Sequence, residues 1–239
     1  MADSVSSLDP GSCTQACNTV QQNPGKREKV EEAVAQFGRS LQFAVKELRD
    51  DRDIVMQAIA QDGWALQFAP EDLRGDDEVV LRATAQNYRA LQFASEGLRG
   101  DAEFMLRATR EDYRALQYAS EEVRADRDSM LQAMALDGRA LQFISQALRQ
   151  DREVVLQAVT RSGKALQFAS EELRGDREVV SRAVADSSSA LLHTSEELRS
   201  NRGIWLQALG RSDASAAPEE GASPDADAAL DAGAAPDDS

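Results

Sequence analysis

Histidine occurs once in this chain of 239 residues and cysteine twice, aromatic residues make up 5%, and no base lies beyond Arg211. Each scarcity excludes something. A lone His193 removes any site built from several imidazole ligands. Cys13 and Cys17, both in a polar N-terminal segment, are too few for the disulfide framework of a small secreted domain. They also lack the two further ligands that a thiolate metal site needs. No apolar stretch approaches the roughly 20 residues of a membrane helix, and no apolar run follows a basic start as in a signal peptide. The expectation is a soluble intracellular chain, cytoplasmic by default, without membrane contact. Nor does the sequence hold a nucleophile–base pair, a phosphate-cradling Gly-rich loop or an HExxH motif. No enzyme, no metal and no cofactor is therefore expected.

Charge is unevenly spread. Eight acids and no base follow Ser212, two acids and no base precede Lys26, and the middle carries 32 acids against all 27 bases. The middle is thus close to balance, and a simple phosphate-binding surface is not indicated.

What the sequence has in abundance is repetition. Leu41, Leu66, Leu91, Leu116, Leu141, Leu166 and Leu191 recur with one constant step, and Arg49, Arg74, Arg99, Arg124, Arg149, Arg174 and Arg199 keep the same step. Aromatic residues hold that register from Phe43 to Phe168, with His193 in the seventh copy, and Asp holds it from Asp51 to Asp176, with Asn201 next. No insertion breaks the period. Within a unit, "DREVVLQAVTRSG" (Asp151–Gly163) predicts a helix. Asp151 suits the N-cap, Glu153 complements the helix dipole, and Val154, Val155, Ala158 and Val159 form an apolar face. Gly163 suits a C-terminal stop. "KALQFASEELRGD" (Lys164–Asp176) predicts a shorter helix and a helical turn, with Ser170 as a fresh cap. Proline stands there in another unit, as Pro70, so the chain breaks before that position in every copy.

One such unit cannot bury its own apolar face, whereas stacked units bury a continuous core between modified ends. The expectation is an all-α protein: an α-solenoid of seven 25-residue helical repeats plus a half repeat over 26–211, between disordered tails at 1–25 and 212–239. The polar "KREKVEEAV" (Lys26–Val34) and Trp205 would cap its two ends.

At this point "GRALQFISQAL" (Gly138–Leu148) and "DREVVLQAV" (Asp151–Val159) resemble the repeat family catalogued as domain of unknown function 4116. That family's unit is about twice the period seen here, so one of its domains corresponds to two adjacent copies. His193, Thr194 and Ser181 depart from its pattern. The resemblance implies tandem helices and no established activity, catalytic residue or cofactor.

Several features invite a functional reading. The arginine row, Arg99 and Arg124 included, would form a ladder along one edge, and Arg forks suit carboxylates and phosphates. The plainer reading, favoured here, is an internal ladder in which these arginines pair with the acids around them. Six identical glutamines, from Gln42 to Gln167, spell no sequence as RNA-reading repeats do. They read instead as structural amides bonding a neighbouring unit's backbone. Trp64, Tyr88 and Tyr113 depart from the common pattern near a turn often held by Gly, and are expected as exposed contacts. With Arg99 and Arg124 they form the candidate partner-binding set. The leading expectation is a non-catalytic scaffold that binds a protein or peptide partner. A nucleic-acid-binding solenoid using the arginine row is the first alternative, with the charge balance against it. An accessory or regulatory module of a larger enzyme assembly is the second.

Overall fold

The structure, a computed structural model, describes residues 10–208. Every element in that range is helical. Eight helices recur in step with the sequence period: α2 (Arg27–Gln36), α3 (Arg52–Gln61), α4 (Asp77–Gln86), α5 (Ala102–Glu111), α6 (Arg127–Leu136), α7 (Arg152–Arg161), α8 (Arg177–Asp186) and α9 (Arg202–Ala208). Helix α1 (Pro10–Gln22) precedes them. Between consecutive long helices lie a six-residue 3-10 segment, such as Gly138–Phe143, and a short helical turn that ends at or beside the repeated arginine.

Three caps, seen together in the unit that runs from Asp126 to Gln150 into α7, explain why the chain breaks three times within a unit. Asp151 accepts from the backbone N–H groups of Glu153 and Val154 at 2.9 and 3.1 Å and starts α7. Asp137 accepts from Arg139 N at 2.9 Å and starts the 3-10 segment. Ser145 accepts from Leu148 N at 3.4 Å and starts the last turn. Each short polar side chain takes an N–H that the new helical turn leaves free. Asn201, in place of Asp, keeps the cap on α9, accepting from Gly203 N at 2.9 Å.

Units are locked through their apolar face. Val154, Val155, Ala158, Val159, Ala165 and Leu166 are fully buried, and their counterparts in neighbouring units join one continuous core. Long helix packs on long helix and 3-10 segment on 3-10 segment, unit after unit. A backbone bond adds to this. The N–H of Ser95, Ser120, Ser145, Ser170 and Ser195 donates to the carbonyl of the preceding unit's arginine, from Arg74 to Arg174, at 2.8–3.0 Å.

Pro70 has no N–H with which to make that bond and no side-chain cap. Pro70→Ser restores a cap and a backbone bond, each contributing ~1 kcal/mol, against an entropic loss of about 0.4–1 kcal/mol. The expected net gain is about 1 kcal/mol, read from the denaturant midpoint of the full chain.

Three expectations need correction. The segment 1–25 is not simply disordered, because Pro10–Gln22 is helical and buries Ala16 and Val20 against the array. Those two residues, four apart, are the apolar stripe of α1, and α1 rather than Lys26–Val34 covers that end of α2. At the other end Trp205 stays 45% exposed, its indole N–H donating to the Arg199 carbonyl. Gly163 does not stop α7. The helix ends at Arg161, and Ser162, in extended backbone with φ −153°, makes the break. Glycine is needed next because a Cβ on Gly163 would lie 2.1 Å from the Ala183 carbonyl oxygen of the following unit. The expected tail at 212–239 lies outside the described residues.

Candidate functional site

The repeated arginines stand just before the cap of each following long helix. Their backbone carbonyls receive the inter-unit N–H bonds, for example Ser120 N to Arg99 O at 2.8 Å and Ser145 N to Arg124 O at 2.9 Å. The fold therefore pins one arginine per unit along a common edge.

Their side chains behave unexpectedly. Arg49, Arg74, Arg99, Arg124, Arg149 and Arg174 are half-buried, and in all six the Nε atom is enclosed with no hydrogen-bond partner. Among the described residues none of the six forms an ion pair. The expected internal ladder of Arg–acid pairs is absent. Leaving a buried donor unsatisfied costs about 1–3 kcal/mol, more for a charged group, so the row weighs against folding. In the seventh copy Arg199 is exposed and its Nη2 donates to the Thr194 carbonyl at 3.0 Å.

Most of the ion pairs that link units come from a different row, the arginines that directly follow the cap position of each long helix. Arg27 reaches Asp51 of the next unit at 2.5 Å, Arg127 reaches Asp151 at 2.8 Å and also Glu153, and Arg152 reaches Asp176 at 2.9 Å and also Glu178. Every one of these partners sits a full unit further along the chain. Nearness in sequence, on which the expectation rested, does not reveal such offsets.

These bonds from Arg27, Arg127 and Arg152 hold the carboxyls of Asp51, Asp151 and Asp176 below the ordinary range, with the capping backbone N–H groups adding to the effect. A depressed folded-state pKa gives stability that is fully present above the unfolded value, about 3.9, and is lost as pH falls through the folded values. The denaturant midpoint should fall with acidification below about pH 4. Asp151→Asn should flatten that dependence, measured as the midpoint at a series of pH values.

The candidate aromatics are not free contacts. Trp64 packs edge-on to Phe93 of the next unit, with ring centroids 5.6 Å apart. Tyr88 lies 6.4 Å from Tyr118 and under the Arg114 guanidinium at 4.2 Å, while Tyr113 lies 6.2 Å from Phe143 and under Arg139 at 4.2 Å. All three are half-buried. Tyr88 and Tyr113 occupy the position where Gly138 and Gly163 admit the next helix, and the helices across those two junctions pack less closely. They are spacers between units. Arg114 in turn bonds Asp112 at 2.6 Å. Burial raises the Asp112 carboxyl, the bonds from Arg114 lower it, and the net direction is down. The repeated glutamines also differ from expectation. Gln67, Gln92, Gln117 and Gln142 each donate to a carbonyl one turn back in their own unit, at 3.0–3.1 Å, and not to a neighbouring unit.

Two shallow cavities lie on the arginine row. One of about 290 Å³ is lined by Lys46, Arg49, Asp50, Phe68, Pro70 and Arg74, among others. Another of about 480 Å³ is lined by Glu96, Arg99, Gly100, Tyr118, Ser120 and Glu122, among others. Of the sequence candidates, Arg99 and Arg124 therefore share one edge, whereas Trp64, Tyr88 and Tyr113 belong to the unit junctions. Arg49, Arg74, Arg149 and Arg174, named in the repeated row but left out of the candidate set, differ from Arg99 and Arg124 only in their unit. The signal was the period itself.

The family model described as Domain of unknown function (DUF4116) matches residues 26–74, 76–124 and 126–174. Each matched segment spans two units and ends on an arginine of the row. No curated protein and no solved structure matches the chain.

Proposed function

The chain belongs to the family described as Domain of unknown function (DUF4116), and from that premise we propose that it is a non-catalytic scaffold. Its units, seven and a half in number, form an α-solenoid that binds an extended acidic segment of a partner protein. The observation that carries this reading is the row of six half-buried arginines, none of which forms an ion pair among the described residues. Guanidinium forks that no carboxylate of the described residues takes suit a ligand that supplies carboxylates. The ligand's charges must repeat at the spacing of stacked helices, roughly 8–10 Å. An extended polyproline-type strand has three residues per turn and a rise of ~3.1 Å, which puts every third side chain on one face about 9 Å apart. Duplex nucleic acid carries a phosphate every ~1.7 Å of axis, far denser than one arginine per unit. The 32 acids of the middle region, Glu96 and Glu122 beside Arg99 included, also disfavour it.

The test is a titration of the full chain with a fluorescent (Asp-Pro-Pro)6 peptide and with a composition-matched peptide whose acids stand in one block. The expected result is saturable, salt-sensitive binding that prefers the spaced peptide and weakens at least tenfold in Arg99→Gln/Arg124→Gln. Equal binding of both peptides, or no effect of the double change, overturns the reading. Tighter binding of a single-stranded oligonucleotide than of the peptide would move it to nucleic acid.

A further inference from the structure

The residues beyond the last unit carry a period of their own. Asp213, Glu219, Asp225, Asp231 and Asp237 stand six apart, and Pro218, Pro224 and Pro236 immediately precede three of them. The hexads read "PEEGAS", "PDADAA", "LDAGAA" and then "PDDS", with no basic residue among them. Proline fixes φ near the polyproline value and lowers the entropy lost when such a segment is held extended. One hexad at a rise of ~3.1 Å per residue advances about 19 Å. Two stacked units advance roughly 16–20 Å, taking the usual spacing of packed helices. One acid per hexad therefore keeps step with every second arginine of the row. Those arginines, Arg74, Arg124 and Arg174, close the three segments that the family model matches.

We propose that residues 212–239 are a built-in occupant of the arginine row: they lie along it as an extended acidic strand, running back from the last unit, and compete with the partner for the site. This rests on the scaffold reading above. Charge complementarity supports it, with eight acids and no base opposite six arginines that form no ion pair among the described residues. Length does as well. The stretch from Asp213 to Asp237 covers about 74 Å at the polyproline rise, which exceeds the five unit steps from Arg174 to Arg49 at roughly 8–10 Å each. The carboxylates already beside the row, Glu96 and Glu122 at Arg99 and Asp50 at Arg49, repel the strand. The contact is thus weak enough to be displaced, as suits a competitor held at high effective concentration by its own chain.

The experiment compares the full chain with a full-length variant in which every Asp→Asn and Glu→Gln change is made between residues 212 and 239. Two signals are read: the arginine Nε–H resonances of the row by NMR, and the affinity for the (Asp-Pro-Pro)6 peptide. Docking predicts that the resonances of Arg74, Arg124 and Arg174 shift on neutralisation and that the variant binds the peptide at least tenfold more tightly. Unshifted resonances with equal peptide affinity in both chains overturn the docking and leave the scaffold reading standing. If neither chain binds the peptide, both fall. If the shifts grow with protein concentration and sedimentation shows a dimer, the acidic segment occupies a second copy, and docking within one chain is overturned.

Discussion

Leu141→Ala should lower the unfolding free energy of the full chain by about 2–5 kcal/mol, the usual cost of deleting a buried leucine and leaving a cavity. Leu141 is fully buried in its 3-10 segment, and so are Leu41, Leu66, Leu91, Leu116 and Leu166 at the same position. That segment packs against the equivalent segments on both sides, so the cavity weakens two junctions at once. In an array whose units contact only their neighbours, this divides the cooperative unit. A denaturation curve that broadens or splits is therefore expected along with the lower midpoint. Leu191 is 5% exposed, in the last complete unit, and Leu191→Ala should cost less. A loss below about 0.5 kcal/mol for Leu141→Ala, the range of ordinary surface changes, would contradict the shared core.

Gly138→Ala carries the second large effect, an expected loss of about 1–3 kcal/mol from overpacking. A Cβ on Gly138 would sit 2.0 Å from the Ala158 carbonyl oxygen, 2.9 Å from its carbon and 3.1 Å from Ser162 N. All three are backbone atoms of the next unit and cannot rotate away, so the units must part. Gly97 gives the contrast. Its nearest neighbour is the Ser95 hydroxyl at 3.8 Å, and it lies in the turn Glu96–Arg99. Gly97→Ala should therefore raise stability by about 0.5–1 kcal/mol. Equal effects at the two glycines, measured by chemical denaturation, would show that the close approach is not what retains Gly138.

The contrast with Tyr88 and Tyr113 shows how far the sequence could be read. The repeat register, the capping Asp and Ser residues and the apolar face at Val154, Val155, Ala158 and Val159 are local patterns, and the helices form where those patterns place them. The reason for Gly163 is not local. It depends on the Ala183 carbonyl in the following unit, so the residue reads as a helix stop when it is a point of contact. The tyrosines looked like exposed contacts for the same reason, because the arginines that cover them come from the following unit. Helix α1 was hidden by its polarity, with Ala16 and Val20 as the buried apolar residues described on it.

The candidate site was half legible. The period shows that seven arginines share an edge, but not whether they are paired. Both arginine rows lie near acids along the chain. Only the fold decides that Arg127 and Arg152 reach carboxylates of the next unit while Arg99 and Arg124 reach none among the described residues. Two rows of one residue type thus have opposite roles, one joining units and one left unsatisfied.

That difference can be measured. Arg99→Met/Arg124→Met keeps most of the apolar stem and removes two half-buried guanidinium groups. If the row is kept for a ligand, equilibrium unfolding of this variant should show a midpoint equal to or above that of the parent chain, with a gain of up to about 1 kcal/mol per site. If the row holds the units together, the midpoint should fall by an amount equivalent to more than about 1 kcal/mol, and that result would contradict the account of this edge as a binding surface.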